Sequence, residues 1–190
     1  MALERKFKIG KPILEVKNIS LSFGGVKAIT DTSFDVLEHE VRAIIGPNGA
    51  GKSSMLNCIN GIYKPQQGTV SFKGKEVPNI TPNIMAQMGL SRTFQNLALF
   101  KRMSVLDNIL VGRKLHTKTN FLEVAFQLPK VKKEEKLNRD RSEEIVSFLE
   151  IEDIKDTPVG KLPYGLQKKV ELGRALATDS SIILLDEPLS

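Results

Sequence analysis

The sequence predicts an α/β fold, a core of alternating strands and helices built around one glycine-rich loop and interrupted by a helical arm. Three observations lead to it. The run GPNGAGKSS at residues 46–54 separates an apolar β-branched segment from a helix-spaced one. Beyond Ser104 the apolar positions recur at helical intervals. At residues 181–188, SIILLDEP returns to an unbroken apolar run, the pattern of a strand covered on both faces.

Taken in order, LEVKNISLSF (residues 14–23) and SFDV (33–36) read as strands, and VRAII (41–45) as a short buried strand entering the glycine run. Met55, Leu56 and Ile59 then give helical spacing, stopped by Gly61 with Pro65 beyond. GTVSFKGKEV (68–77) is a further strand and turn. Thr81 caps a short helix with Pro82 at its first position, and LSRTFQ (90–95) returns to strand. Ser104 and Asp107 form a capping pair ahead of Ile109, Leu110 and Val111. A second long helix packs through Ile145, Phe148 and Leu149, and a third covers residues 166–177.

The glycine run has the spacing of a phosphate-binding loop, Gly46, four residues, then Gly51-Lys52-Ser53. Its glycines let several backbone N–H groups turn toward one anion, and the helix that starts near Lys52 adds its positive end. Gly46, Asn48, Gly49, Ala50, Gly51, Lys52, Ser53 and Ser54 are thus the candidate phosphate-binding residues. Lys52 would reach the terminal phosphates, and the Ser53 hydroxyl would be a ligand of Mg²⁺. At the other end of the chain, Asp186 and Glu187 follow the last strand, at the carboxyl edge where ligands collect in open α/β sheets. One carboxylate there can hold a water of the Mg²⁺ shell while its neighbour polarises a second water for attack on phosphorus. Two acids opening a helix after a strand, with Pro188, is the plain alternative. The presence of both motifs in one chain favours phosphoryl transfer.

Composition narrows the field. With 190 residues and 41% hydrophobic content, the chain suits one domain with a core of ordinary size. Cys58, the single cysteine, excludes an internal disulfide and reads as a small core hydrophobe. His39 and His116 are the only histidines, and no Cys/His cluster suits a transition metal. The N-terminus MALERKFKIGKP lacks the apolar stretch of a secretory signal, and no apolar run approaches the roughly 20 residues that span a bilayer. The cytoplasm is the expected location, with docking onto an embedded partner left open. Net charge is +6, of which residues 1–11 carry +3 and residues 113–141 carry +5. The basic segment KVKKEEKLNRDR (130–141) mixes signs and has no interleaved aromatics, so it reads as a solvated helix face, and no nucleic-acid partner is expected.

In order along the chain, GPNGAGKSS, the glutamine of TFQN, LPYGLQKK and IILLDEP resemble the ATP-binding subunit of an ABC transporter, and the resemblance spans nearly the whole chain. SFGGVKAI and RTFQNLALFKRMSVLDNILVG are more narrowly similar to the ATPases of branched-chain amino acid importers. The resemblance implies a P-loop NTPase (RecA-like) core with N-terminal antiparallel β strands and a helical subdomain. It divides the chain into a nucleotide-binding core over residues 1–94, a helical arm with a signature loop over 95–165, and a returning helix and strand over 166–190. ATP and Mg²⁺ are the implied ligands. Phe23 sits where an aromatic stacks on adenine, although a core strand residue is the alternative. Gln95 matches the glutamine that touches Mg²⁺ or the attacking water. Ser53, Gln95 and Asp186 are then the metal residues, and Glu187, Lys52 and Gln95 the catalytic ones, with Glu187 the general base. Residues 97–103 would lie near the groove that receives a short helix of the membrane subunit. The implied partners are transmembrane permease subunits, a second ATPase subunit in a homodimer or heterodimer, and indirectly a solute-binding protein, with the chain peripheral on the inner face of the cell membrane.

Two departures stand against the family pattern. In LPYGLQKK the usual serine is Pro163, Tyr164 stands for a glycine, and Leu166 for a glutamine. Pro163 offers neither hydroxyl nor amide hydrogen, so only Gly165 and the start of the following helix remain to cap a phosphate of the partner subunit. The chain also stops at Ser190, before the interface loop and the strand with its switch histidine. We therefore expect a fragment of a longer protein, or a partner segment that fills a gap in the sheet. A nucleotide-binding fragment without efficient hydrolysis, and a soluble ABC protein outside transport, are the competing functions.

Overall fold

The computed structural model describes residues 10–93, 97–117, 119, 123 and 128–186. The chain divides into two compact units, Met1–Met88 and Gly89–Ser190. In the first, strands β1 (Pro12–Phe23) and β2 (Val26–Leu37) form an antiparallel hairpin. Strand β3 (Gln67–Phe72) pairs with the other edge of β1, and β4 (Lys75–Glu76) completes the order β2-β1-β3-β4. Leu14, Val16, Ile19 and Leu21 of β1 are buried. Their spacing slips by one residue between Val16 and Ile19, which in a regular strand would turn Ile19 to the opposite face. A bulge absorbs the slip. Asn18 takes φ 51, its N–H donates to Ser33 Oγ at 2.7 Å, and its Nδ2 donates to Asp31 at 2.8 Å. The extra residue returns Ile19 to the core.

Helix α1 (Lys52–Ile59) buries Met55, Cys58 and Ile59, the i, i+3, i+4 stripe of an amphipathic helix. Helix α2 (Pro82–Met88) begins as its sequence predicts, with proline at the first position and the Ile84 N–H donating to Thr81 Oγ1 at 3.3 Å. The expected strand at 41–45 does not form. Those residues are irregular, and Val41 and Ile45 are 99% and 92% exposed. A central strand is held by ladders on both sides, and neither sheet among the described residues offers it one.

The second unit pairs β5 (Leu90–Arg92) in parallel with β6 (Ile182–Leu184). Helices α3 (Val105–Gly112), α4 (Pro129–Phe148) and α5 (Tyr164–Leu176) build one core from Val105, Ile109, Ile145, Val146, Leu149 and Val170. The Ser104 cap is realised: its Oγ accepts the Asp107 N–H at 3.0 Å and donates to the Asp107 carboxylate at 2.7 Å. Two expectations are corrected. Phe148 is 76% exposed, because at about 100° per residue it lies roughly 200° around α4 from the buried Val146. Strand β6 is covered less fully than its apolar run suggests: Ile182 and Ile183 are half-buried and Leu185 is exposed, since β5 is its one ladder neighbour among the described residues.

Buried polar groups lock the arm. Asn108, fully buried on α3, accepts the Phe100 N–H at 2.9 Å and donates to the Phe100 and Ser104 carbonyls at 3.1 and 2.9 Å. Arg113, also buried, donates to the Ala177 carbonyl at 2.9 Å, to Asn138 at 3.2 Å and to the Asp179 carboxylate. It thereby ties the end of α3 to α4 and to the turn after α5. Helices α3 and α5 meet closely at Gly112, where an added Cβ would lie 2.3 Å from the Arg174 carbonyl oxygen. Gly112→Ala should therefore destabilise the protein by about 1–3 kcal/mol through overpacking. Gly165→Ala, whose Cβ meets nothing within 4 Å, should hold the stability of the wild type or raise it by up to about 1 kcal/mol through helix propensity, and paired urea titrations check both.

Candidate functional site

In the first unit the glycine run follows the irregular segment 41–45, turns, and becomes α1. The Ala50 N–H donates to the Pro47 carbonyl at 3.2 Å, and the Met55 N–H to the Gly51 carbonyl at 2.8 Å, closing the first helical turn. Gly51 has φ +81 and lies so close to β2 that an added Cβ would stand 2.3 Å from the Ala28 carbonyl oxygen. Both the backbone angle and the space there require glycine. Lys52 folds back over the loop, its Nζ donating to the Gly46 and Pro47 carbonyls at 2.8 Å each. An ammonium with three donors is thereby held over the loop it belongs to. The N-cap Gly51 supplies no side-chain acceptor, and α1 has no acid in its first turn. The positive helix end therefore has neither a side-chain cap nor a first-turn acid to offset it, which favours an anion there. Asn48, Gly49, Ala50 and Ser53 are exposed, while Gly46, Lys52 and Ser54 are half-buried.

Phe23, at the end of β1 in the same unit, is 46% exposed rather than buried in the core. Its ring forms a T-shaped pair with Tyr63, centroids 5.1 Å apart and planes at 75°.

The second unit carries the remaining described candidates. Asp186, just past β6, is buried, and its carboxylate accepts from Arg92 at 3.1 Å. Its N–H reaches Thr93 Oγ1 at 3.5 Å. Arg92 pairs with Leu184 across the parallel ladder, and Asp186, two residues further, falls on the same side as Leu184. Sequence reasoning missed Arg92; a charged residue at the end of the short LSR strand was the available signal. Gly165 lies in the first turn of α5, whose N-cap is Pro163 without any side-chain cap. Leu166, the departure from the usual glutamine, packs against the helical core. Gln95 and Glu187 lie outside the described residues. Among the described residues no group of three or more His, Cys, Asp or Glu side chains could hold a metal by itself. Mg²⁺ takes one or two protein oxygens and completes its shell with phosphates and water. The Ser53 hydroxyl and the Asp186 carboxylate are oxygen donors of the required kind.

A family model described as ABC transporter matches residues 29–190. The chain belongs to the ABC transporter family. The branched-chain amino acid transport ATP-binding protein BraF of Pseudomonas aeruginosa is 35% identical over 95% of this chain and 71% of its own length. A probable branched-chain amino acid transport ATP-binding protein, LivG, of Methanocaldococcus jannaschii is 37% identical over 94% of this chain and 68% of its own. A solved ATP-binding cassette of an ABC transporter in its ADP conformation is similar with a TM-score of 0.77 at 36% identity, covering 94% of this chain and 70% of that one. The chain therefore has the expected P-loop NTPase fold, with its antiparallel N-terminal sheet and helical subdomain, and belongs to the ATPase class that energises ABC transporters. No helix among the described residues is long and apolar enough to cross a membrane.

Cys58 is fully buried on α1, and burial pushes its thiol up to about 11. The unfolded thiol ionises nearer its ordinary value, about 8.5. Its contribution to stability is thus complete below that value and is lost as pH rises toward 11. Native protein should resist an aromatic disulfide reagent at pH 8 and react fully in urea. The Cys58→Ala variant should lose less of its urea midpoint between pH 8.5 and 11 than the wild type.

Proposed function

We propose that the chain is the ATP-binding and hydrolysing subunit of an ABC importer for branched-chain or related amino acids. The observation that carries the reading is the Lys52 ammonium, held at 2.8 Å on the Gly46 and Pro47 carbonyls beside a helix start with no side-chain cap. A nucleotide's phosphates offer the oxygens for which those donors are arranged. Residues 46–54 and Lys52 bind the triphosphate, Phe23 takes the base, and Ser53, Gln95 and Asp186 serve the Mg²⁺ shell. The metal, when bound, neutralises phosphate charge. Glu187 accepts a proton from the attacking water, and the loop amides with Lys52 stabilise the transferring phosphoryl group. Residues 1–94, 95–165 and 166–190 act as nucleotide core, helical arm and returning segment. The partners are permease subunits at the inner face of the cell membrane, a second ATPase subunit, and indirectly a solute-binding protein. Leu99 packs against the helical core while Phe100 is 52% exposed, which suits contact with a permease helix at residues 97–103.

A second reading, a nucleotide-binding module with little turnover, draws on Pro163. Its ring leaves no N–H or hydroxyl at the α5 N-cap, so Gly165 and the helix end alone would face a partner's phosphate. Two variants test the first reading. Lys52→Ala should weaken ATP binding about ten- to a hundredfold by removing charge-assisted bonds. Glu187→Gln should bind ATP as the wild type does while phosphate release falls at least roughly a hundredfold. Undiminished phosphate release from Glu187→Gln would reject it as the base, and wild-type affinity in Lys52→Ala would reject the phosphate site.

A further inference from the structure

The phosphate helix and the aromatic at the end of β1 are joined by a residue that belongs to no recognised motif. We propose that Tyr63 is a positioning residue for the nucleotide base, bracing the Phe23 ring and fixing it relative to the helix that carries the phosphate loop. This rests on the reading of Phe23 as the base platform. Helix α1 starts at the loop with Lys52, and near its other end the Asn57 carbonyl accepts the Ile62 N–H at 2.8 Å and the Tyr63 N–H at 3.2 Å. The backbone of Tyr63 is thus part of the helix's own hydrogen-bonded terminus. Its ring meets Phe23 in the T-shaped pair, 5.1 Å between centroids. Whichever ring supplies the edge, Tyr63 leaves at least one face of Phe23 uncovered, and the residue is 46% exposed.

A second latch holds the backbone that carries Phe23. Gln66 continues the same turn, and its side-chain amide behaves as a ladder partner: Nε2 donates to the Ser22 carbonyl at 3.0 Å, and Oε1 accepts the Ser22 N–H at 2.9 Å. The Gln66 N–H donates to Ser20 at 3.0 Å. Beyond Phe23, a Cβ built on Gly24 or Gly25 meets nothing within 4 Å, so the hairpin turn that follows the ring is open. Phe23 pairs with Val26 across the hairpin, and Ala28, whose carbonyl abuts Gly51, lies two residues along, about 7 Å. The loop and the platform therefore hang on one hairpin from both sides, through Ala28 and through Tyr63. A ring held in place before binding loses less freedom when a base stacks on it.

The test compares ligands with and without a base. ATP, ADP and inorganic tripolyphosphate, each with Mg²⁺, are titrated calorimetrically into the wild type and into Tyr63→Ala, Tyr63→Phe and Phe23→Ala. Tyr63→Ala should weaken ATP and ADP about three- to tenfold, the range of one aromatic pair, and leave tripolyphosphate unchanged; Tyr63→Phe should match the wild type. Equal losses for ATP and tripolyphosphate would show a merely structural role and overturn the proposal, as would undiminished ATP binding. Should Tyr63→Ala fail to fold, Tyr63→Leu, which keeps bulk without a ring, decides on the same readout. Phe23→Ala separates the two levels. If it does not distinguish ATP from tripolyphosphate, the platform reading itself fails; if it does and Tyr63→Ala does not, only the brace fails.

Discussion

The first unit depends on one close approach, that of Gly51 to the Ala28 carbonyl of β2. No side chain fits between them, so the loop comes down onto the strand and α1 must start there, with φ +81 as its entry angle. Everything chemical about the loop follows from that start. Lys52 becomes the first helical residue and can curl over the carbonyls behind it, and the helix start has no side-chain cap and no acid in its first turn. The stripe of Met55, Cys58 and Ile59 then presses the helix onto the sheet, so core packing and phosphate geometry are set by the same eight residues. A loop able to wander would pay for its ordering each time an anion bound. This one is held before the anion arrives.

The second unit fixes its functional residue by a different route. Asp186 follows a strand only three residues long, and such a strand has little ladder of its own to locate what comes after it. The buried pair with Arg92 compensates. Two charges removed from water are tolerated when each satisfies the other, and here the pairing crosses between neighbouring strands. Arg113 serves the arm in the same manner, with its guanidinium bridging three separate elements. Burial disfavours the charged Asp179, but the bonds from Arg113 and Arg141 outweigh it and hold its carboxyl below the usual range. Polar groups at low exposure are thus doing the positioning that regular secondary structure is too short to do.

What could be read from the sequence was what local chemistry decides. Ser104 with Asp107, Thr81 with Pro82, and the glycine loop each act within nine residues or fewer, so their signals survive without knowledge of the fold. The family pattern extended that reading to Phe23, Gln95, Gly165, Asp186 and Glu187, of which Gln95 and Glu187 lie outside the described residues. The failures all concern neighbours distant in sequence. VRAII has the composition of a strand but no ladder partner among the described residues, and Phe148 has the spacing of a core residue on a face that nothing covers. Tyr63 and Arg92 are invisible for the converse reason: the contact that gives each its role is with a residue 40 or 94 positions away in sequence, and no local pattern marks it.

An uncapped helix start does not by itself mark a phosphate site, and α4 shows why. It too begins without a side-chain cap, at Leu128, but its first residue is Pro129 and it has no amide hydrogen there to satisfy. Helix α3, whose role is packing, caps itself with Ser104. Helix α1 differs from both. Its N-cap glycine gives no side-chain acceptor, its first turn has no acid, and the chain's own ammonium is stationed across the loop. Helix α5 falls between the extremes: Pro163 precedes it without a cap, but Tyr164 and Gly165 carry amides and Gly165 faces open space. The proposed contact of Gly165 with a partner's phosphate therefore has backbone donors to work with and no hydroxyl. On physical grounds it is the weaker of the two grips, because its donors are fewer and the ammonium at this helix start, that of Lys168, lies over the Tyr164 ring, 5.6 Å from its centroid, rather than across a glycine loop.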